Sequence, residues 1–147
     1  YYLSNNKTVV SKILAIDYGS KRVGVAITDS LKIIASGLAT VSTNKIYSFL
    51  EEVIDKEMIS HIVIGLPKNL DNSNTDSTYE INVFINKLKQ LYPDIIIDSI
   101  DERFTSSMAK KAILSSGVNK KRRRDKALVD QVSATIILQS YLQILSS

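Results

Sequence analysis

Three carboxylates stand where the surrounding pattern calls for an apolar residue. Asp17 ends the continuous apolar run Ile13 to Ile16, Glu102 lies just past the run Ile95 to Ile100, and Asp130 is followed four, seven and eleven residues on by Ala134, Ile137 and Tyr141. On a helix those spacings share one face, so Asp130 belongs to a largely apolar stripe. Burying a lone carboxylate is costly, and something must neutralise it. Taken singly, each acid has an ordinary explanation. Asp130 suits a helix N-terminus or an ion pair with nearby arginines, Asp17 a turn, and Glu102 a solvent-facing strand end. Taken together, three acids within a few ångströms would repel and raise one another's pKa unless cations held them. Oxygen-only ligands suit Mg2+ or Mn2+. Two such ions about 3.5–4 Å apart can clamp the attacking and leaving oxygens of an in-line phosphoryl displacement. The single histidine, His61, falls at a predicted strand start and reads as structural, which leaves a metal-activated water as the expected nucleophile. The absence of cysteine removes disulfides, thiolate metal sites and a cysteine nucleophile, and one histidine rules out multi-histidine zinc sites.

Basic residues supply the second chemical signal. The formal net charge is +4, from 19 basic and 15 acidic residues, and it is unevenly spread. Tyr1 to Glu102 carries ten basic and thirteen acidic residues, whereas Arg103 to Ser147 carries nine and two. The centre of this positive field is Lys120, Lys121, Arg122, Arg123 and Arg124, followed by Lys126. Such a cluster attracts a polyanion such as nucleic acid. A solvated loop is the plainer reading of the same run.

The elements that must position these groups alternate along the chain. Ile13 to Ile16, Val23 to Thr28 and Lys32 to Ala35 are predicted strands, joined by turns at Gly19-Ser20-Lys21 and Asp29-Ser30, and they read as an antiparallel meander. Ser42 or Thr43 can cap a helix carrying Ile46, Phe49, Leu50, Val53 and Ile54. His61 to Ile64 is a buried strand stopped at Gly65-Leu66-Pro67. A polar loop, Lys68 to Asp76, precedes a helix opened by the Ser77 to Glu80 capping-box spacing. Ile95 to Ile100 is the fifth strand. Two helices follow, about Thr105 to Ser116 with Gly117 as its C-terminal cap, and about Lys126 to Leu145. This order predicts an α/β chain with a mixed five-stranded sheet, three strands antiparallel and the rest parallel, with helices on both faces. It is the order of a ribonuclease-H-like fold. In such a sheet the first and fifth strands can be neighbours, and a packed C-terminal helix brings Asp130 to the same point.

At 147 residues and 16.4 kDa, with 44% hydrophobic and 23% charged residues, the chain has the make-up of one soluble domain. Residues 12–145 are expected to form it, with 1–11 as an N-terminal extension. No apolar run approaches the roughly 18 residues of a membrane span, so no membrane partner is expected. The first residue is Tyr1, which leaves a removed leader open.

Four segments resemble one known family. Ile13-Leu14-Ala15-Ile16-Asp17-Tyr18-Gly19-Ser20-Lys21-Arg22-Val23-Gly24-Val25-Ala26 is similar to the opening motif of the YqgF family, the RuvX-type Holliday-junction resolvases and pre-16S ribosomal RNA nucleases. Ile64-Gly65-Leu66-Pro67, Asp101-Glu102-Arg103-Phe104-Thr105-Ser106, and Asp130 with Ser133-Ala134 and Ile137-Leu138 match the later motifs in order. The resemblance runs from about Ile13 to Tyr141. It implies a ribonuclease-H-like fold and metal-dependent phosphodiester cleavage, with Asp17, Glu102 and Asp130 in the family's acidic positions and Mg2+ or Mn2+ as cofactor. Lys21, Arg22, Arg103 and Thr105 are then expected to touch phosphate. The implied role is maturation of the 5′ end of 16S ribosomal RNA in the cytoplasm, on a pre-ribosomal particle, by a monomer or homodimer. Junction resolution on branched DNA is the alternative. Two residues depart from the pattern: Asn72 stands where the family usually has Gly, and Ser133 replaces the first Ala of the helix motif.

Two other readings compete. The Asp17-Tyr18-Gly19 turn also resembles the phosphate loop of actin-like ATPases, but those close two such domains around a nucleotide, and this chain supplies one. A non-catalytic RNA- or ribosome-binding module would use the Lys120 to Lys126 cluster alone. Aromatics at 7%, with no Trp, argue against a base-stacking platform.

Overall fold

The computed structural model describes residues 11–66, 76–101 and 126–146. The opening apolar run becomes β1 (Lys12–Tyr18), followed by β2 (Arg22–Thr28) and β3 (Ala35–Ser42). A 3-10 turn (Thr43–Lys45) leads into α1 (Ile46–Lys56), then β4 (Ile59–Leu66), α2 (Asp76–Leu91), β5 (Ile96–Asp101) and α3 (Lys126–Ser146). The five strands form one sheet in the order β3-β2-β1-β4-β5. β1 pairs antiparallel with β2, and β2 with β3, whereas β1 to β4 and β4 to β5 are parallel. The expected mixed sheet is therefore observed, but β4 separates β1 from β5. The first and fifth strands are next but one, roughly 10 Å apart at the usual strand spacing.

Strand alternation sends side chains to two cores. Leu14, Ile16, Val23, Val25, Ile62 and Ile64 meet Ile46 and Leu50 of α1 and Ile81, Phe84 and Leu88 of α2. Ile13, Ala15, Ala26 and Val63 meet Ala134, Ile137, Leu138 and Tyr141 of α3 on the opposite face. Full burial of each large aliphatic stabilises the fold by roughly 1.5–3 kcal/mol relative to exposure. The α3 face of β1 and β2 is built largely from small residues, which lets the helix approach the sheet closely. Among the described residues, no helix is long and apolar enough to cross a membrane.

Three local expectations change. Lys32 to Ala35 is mostly turn: Asp29 Oδ1 accepts the backbone N–H groups of Ile33 and Ile34, both at 2.8 Å, and Lys32 takes a φ of 59°. Those N–H donors, Ile34 foremost, hold the Asp29 carboxyl below its usual range. An aspartate turn thus overrides the apolar pattern, and β3 begins only at Ala35. Ser42 makes no side-chain cap. Thr43 instead donates its hydroxyl to the Gly19 carbonyl at 2.7 Å, bracing the β1–β2 turn. The helix expected from Ser77 begins one residue earlier, at Asp76. The loop after Pro67 with Asn72, and the helix expected over Thr105 to Ser116, lie outside the described residues.

Candidate active site

Asp17 reaches the site because of strand periodicity. Ile13, Ala15 and Asp17 alternate onto the α3 face of β1, so the two apolar side chains are buried beneath α3 and the acid emerges at the strand's end. On β2 the same alternation presents Arg22, Gly24 and Ala26. Asp17 and Gly24 are partners in the β1–β2 ladder.

Asp130 arrives from the helix. Its stripe behaves as the spacing predicts, since Ala134, Ile137 and Tyr141 are all buried against the sheet. The helix can lie this low because residue 24 is glycine: a Cβ there would collide with the Asp130 carbonyl and lie 3.1 Å from Asp130 Cβ. Farther along, a Cβ at Gly37 would sit 3.3 Å from Gln131 Cβ. Thr40 Oγ1 donates to the Ala127 carbonyl at 2.8 Å, tying the first turn of α3 to β3. Ser133, where the family motif has Ala, is 2% exposed, and its small side chain fits the tight packing.

Together these elements enclose an open cleft of about 330 Å3 lined by Asp17, Gly19, Ser20, Lys21, Arg22, Lys126 and Asp130. The β1–β2 turn supplies Gly19, Ser20 and Lys21 to its lining. It is tight, because a Cβ at Gly19 would lie 2.6 Å from the Arg22 carbonyl, and Thr43 N–H braces it by donating to the Lys21 carbonyl at 3.0 Å. Arg22 Nε donates to Asp130 Oδ2 at 2.8 Å, with the two side chains 40% and 20% exposed. Lys21, Arg22 and Lys126 thus line the cleft beside the two acids and carry the opposite charge.

Of the residues singled out from sequence, Asp17, Asp130, Lys21 and Arg22 converge here. Glu102, Arg103, Thr105 and Lys120, Lys121, Arg122, Arg123 and Arg124 lie outside the described residues. Among the described residues, no three His, Asp or Glu side chains form a cluster able to hold a metal. Lys126 also lines the cleft. It precedes Asp130 by four residues, so helical spacing already put the two on one face.

His61 takes no part. It pairs with Ile13 at the start of β1, roughly 13 Å along the strand from Asp17. Its Nδ1 contacts Ser60 Oγ at 2.8 Å, and its ring lies 6.1 Å from that of Tyr141. Burial pushes the imidazole pKa down, Lys32 adds to this, and Asp98 opposes it. The imidazole is packed beside Ser60 and Tyr141, away from the cleft.

The sequence profile of the RuvX family, described as Holliday junction resolvase, matches residues 11–144. The chain belongs to the RuvX family. A Phocaeicola vulgatus protein named "Putative pre-16S rRNA nuclease" is 50% identical over 134 residues, covering 91% of this chain and 96% of the relative. A Porphyromonas gingivalis protein of the same name is 51% identical over 133 residues, covering 90% and 96%. Among solved structures, T. thermophilus RuvC in complex with Holliday junction substrate aligns with a TM-score of 0.59 at 14% identity, over 93% of this chain and 96% of that one. Another Thermus thermophilus RuvC structure gives 0.55 at 12% identity, over 92% and 96%. This RuvX-family chain therefore has the ribonuclease-H-like fold that its strand order and motifs led one to expect, and it belongs to a nuclease family.

Proposed function

We propose that this RuvX-family chain is a divalent-metal-dependent nuclease that trims the 5′ end of pre-16S ribosomal RNA in the cytoplasm. The observation that carries this reading is the meeting of Asp17 and Asp130, from opposite ends of the sequence, in one cleft with Lys21, Arg22 and Lys126. Both acids offer hard oxygen donors at an open surface, a donor set that fits Mg2+ or Mn2+. A bound ion of this kind supplies Lewis-acid polarisation of a phosphoryl oxygen.

Glu102 is the third acid of the proposal. It is two residues beyond Ile100, which packs on the α3 face, and one beyond Asp101, the last residue of β5. Ile16 pairs with Ile64, and the next β4 residue, Gly65, pairs with Ile100 and has no side chain to block an acid reaching toward Asp17.

The remaining cleft residues bind and orient the substrate. Lys21, Arg22 and Lys126 flank the acids and hold backbone phosphates, with Arg103, Thr105 and the Lys120 to Arg124 run as further contacts. The tight Gly19 turn keeps Lys21 and Arg22 beside Asp17.

The deciding experiment incubates the purified protein with pre-16S RNA and, separately, with a four-way DNA junction, each with Mn2+ and with a chelator. Metal-dependent cleavage of the RNA is expected. Cleavage of the junction alone would transfer the assignment to resolution, which needs two copies for paired cuts. Binding of RNA without cutting would leave a ribosome-binding module.

A further inference from the structure

The contact between Arg22 and Asp130 has a geometry that a plain structural brace does not need. It is made by Nε, the inner nitrogen of the guanidinium, to a single carboxylate oxygen, Oδ2. It is not the paired, two-bond fork in which arginine holds a carboxylate most firmly. The terminal Nη groups carry the other four N–H donors of the side chain. Arg22 is also 40% exposed, and it shares its cleft with a second acid, Asp17. Its backbone, by contrast, is fixed: Arg22 opens β2, pairs with Ser42 of β3, and follows the braced Gly19 turn. A guanidinium on a fixed stem thus stands where it can neutralise Asp130, in the cleft that a phosphate would enter.

A divalent cation at Asp130 changes the balance. The ion and Arg22 are like charges sharing one carboxylate, so each weakens the hold of the other. A phosphodiester arriving with the ion offers Arg22 a new anion that suits its planar donors. We propose that Arg22 is a positioning residue that exchanges partners: it clamps Asp130 while the site holds no metal, and passes to a non-bridging phosphate oxygen of the nucleic acid when a divalent ion takes that carboxylate. Arg22 therefore opposes binding of metal alone and favours binding of metal with substrate. The coupling keeps the acids correctly placed between turnovers and reserves tight metal binding for the complex with nucleic acid.

This inference rests on the metal-nuclease reading, and its test separates the two. The full chain is titrated calorimetrically with MnCl2 alone, as wild type, Arg22→Gln, Arg22→Lys and Asp17→Asn, with thermal melting of each. Arg22→Gln is expected to bind Mn2+ about fivefold more tightly, at the lower end of usual site-to-site coupling, while its KM for RNA in Mn2+ rises. Arg22→Lys retains the charge without the Nε donor, so its Mn2+ affinity should rise less while KM for RNA increases. If neither wild type nor Arg22→Gln binds Mn2+, or if Asp17→Asn binds it as well as wild type does, the metal reading itself fails. A wild type whose Mn2+ binding needs Asp17 but is unchanged or weakened by Arg22→Gln overturns the exchange and leaves a static brace. Should Arg22→Gln fail to fold, Arg22→Lys decides, and unchanged Mn2+ affinity and KM count against the proposal.

Discussion

The backbone of Asp130 rests directly on Gly24, the residue that faces Asp17 across the β1–β2 ladder. One glycine therefore sets the separation of the two described acids. Replacing it by alanine alters no charged group, yet the new Cβ would collide with the Asp130 carbonyl. Overpacking of this kind costs about 1–3 kcal/mol. Gly24→Ala is expected to lower stability by that amount in urea denaturation and to lose cleavage activity at temperatures where it remains folded. A variant with wild-type stability and rate would mean that α3 is not seated as described.

The two acids can be tested without disturbing the fold. The side-chain amide that Asp130→Asn introduces still offers an oxygen to Arg22 Nε, and position 17 lies at a strand end beside the open cleft. Asp17→Asn and Asp130→Asn should melt close to wild type while losing metal-dependent cleavage. The loss should exceed the about 10- to 100-fold associated with removing an outer partner of a metal ligand. Residual cleavage above about a tenth of the wild-type rate, the mildest of those outer-partner losses, would remove that residue from the centre.

Much of this arrangement was legible in the residues. The apolar run ending in Asp17 and the i, i+4, i+7, i+11 stripe from Asp130 each specified a face, and both acids emerge on it. Their union needed the strand order, which local patterns do not encode. Nothing in the sequence said that β4 lies between β1 and β5, because parallel pairing across a crossover leaves no local mark. The segment after the turn at Asp29 departs from its pattern for a different reason. Leu31, Ile33 and Ile34 look like strand residues but are 74%, 69% and 61% exposed, because the Asp29 carboxylate captures the backbone N–H groups that a strand would have used. The partnership of Arg22 with Asp130 spans 108 residues, beyond the reach of any spacing rule.

The end of the sheet remote from the cleft predicts an alkaline signature. Tyr141 donates its hydroxyl to Asp98 Oδ2 at 3.1 Å, and burial first, then this bond and the Asp98 charge, push its pKa up to about 12 from an ordinary 10.0. The folded protein thus holds the phenol proton more tightly than the unfolded chain. The resulting stability is complete below pH 10 and is lost as pH rises through about 12. Tyr141→Phe lacks this proton, so its stability should fall less steeply over the same window. At neutral pH it should be less stable by about 0.5–1.5 kcal/mol for the missing hydrogen bond. The two denaturation midpoints should converge as the solution is made alkaline. Tyr18, Tyr47 and Tyr92, whose pKa values burial also raises, are common to both proteins and cancel. Parallel curves would show that Tyr141 has no special hold on its proton.

The proposed phosphate contacts predict a salt dependence. If Arg122, Arg123 and Arg124 extend the cationic side of the cleft begun by Lys21, Arg22 and Lys126, replacing all three with Gln should weaken RNA binding for every sequence tested. The logarithm of the binding constant should also fall less steeply with the logarithm of salt concentration, by about 1 in slope for each phosphate contact removed. Asp17→Asn should instead strengthen binding in chelator, by deleting a negative charge that repels phosphate, while leaving the slope intact. Measuring both by fluorescence anisotropy between roughly 50 and 200 mM KCl, a range over which counterion release changes affinity by orders of magnitude, separates binding from chemistry. An unaltered slope in the triple-Gln protein would place the nucleic acid on another face of the sheet.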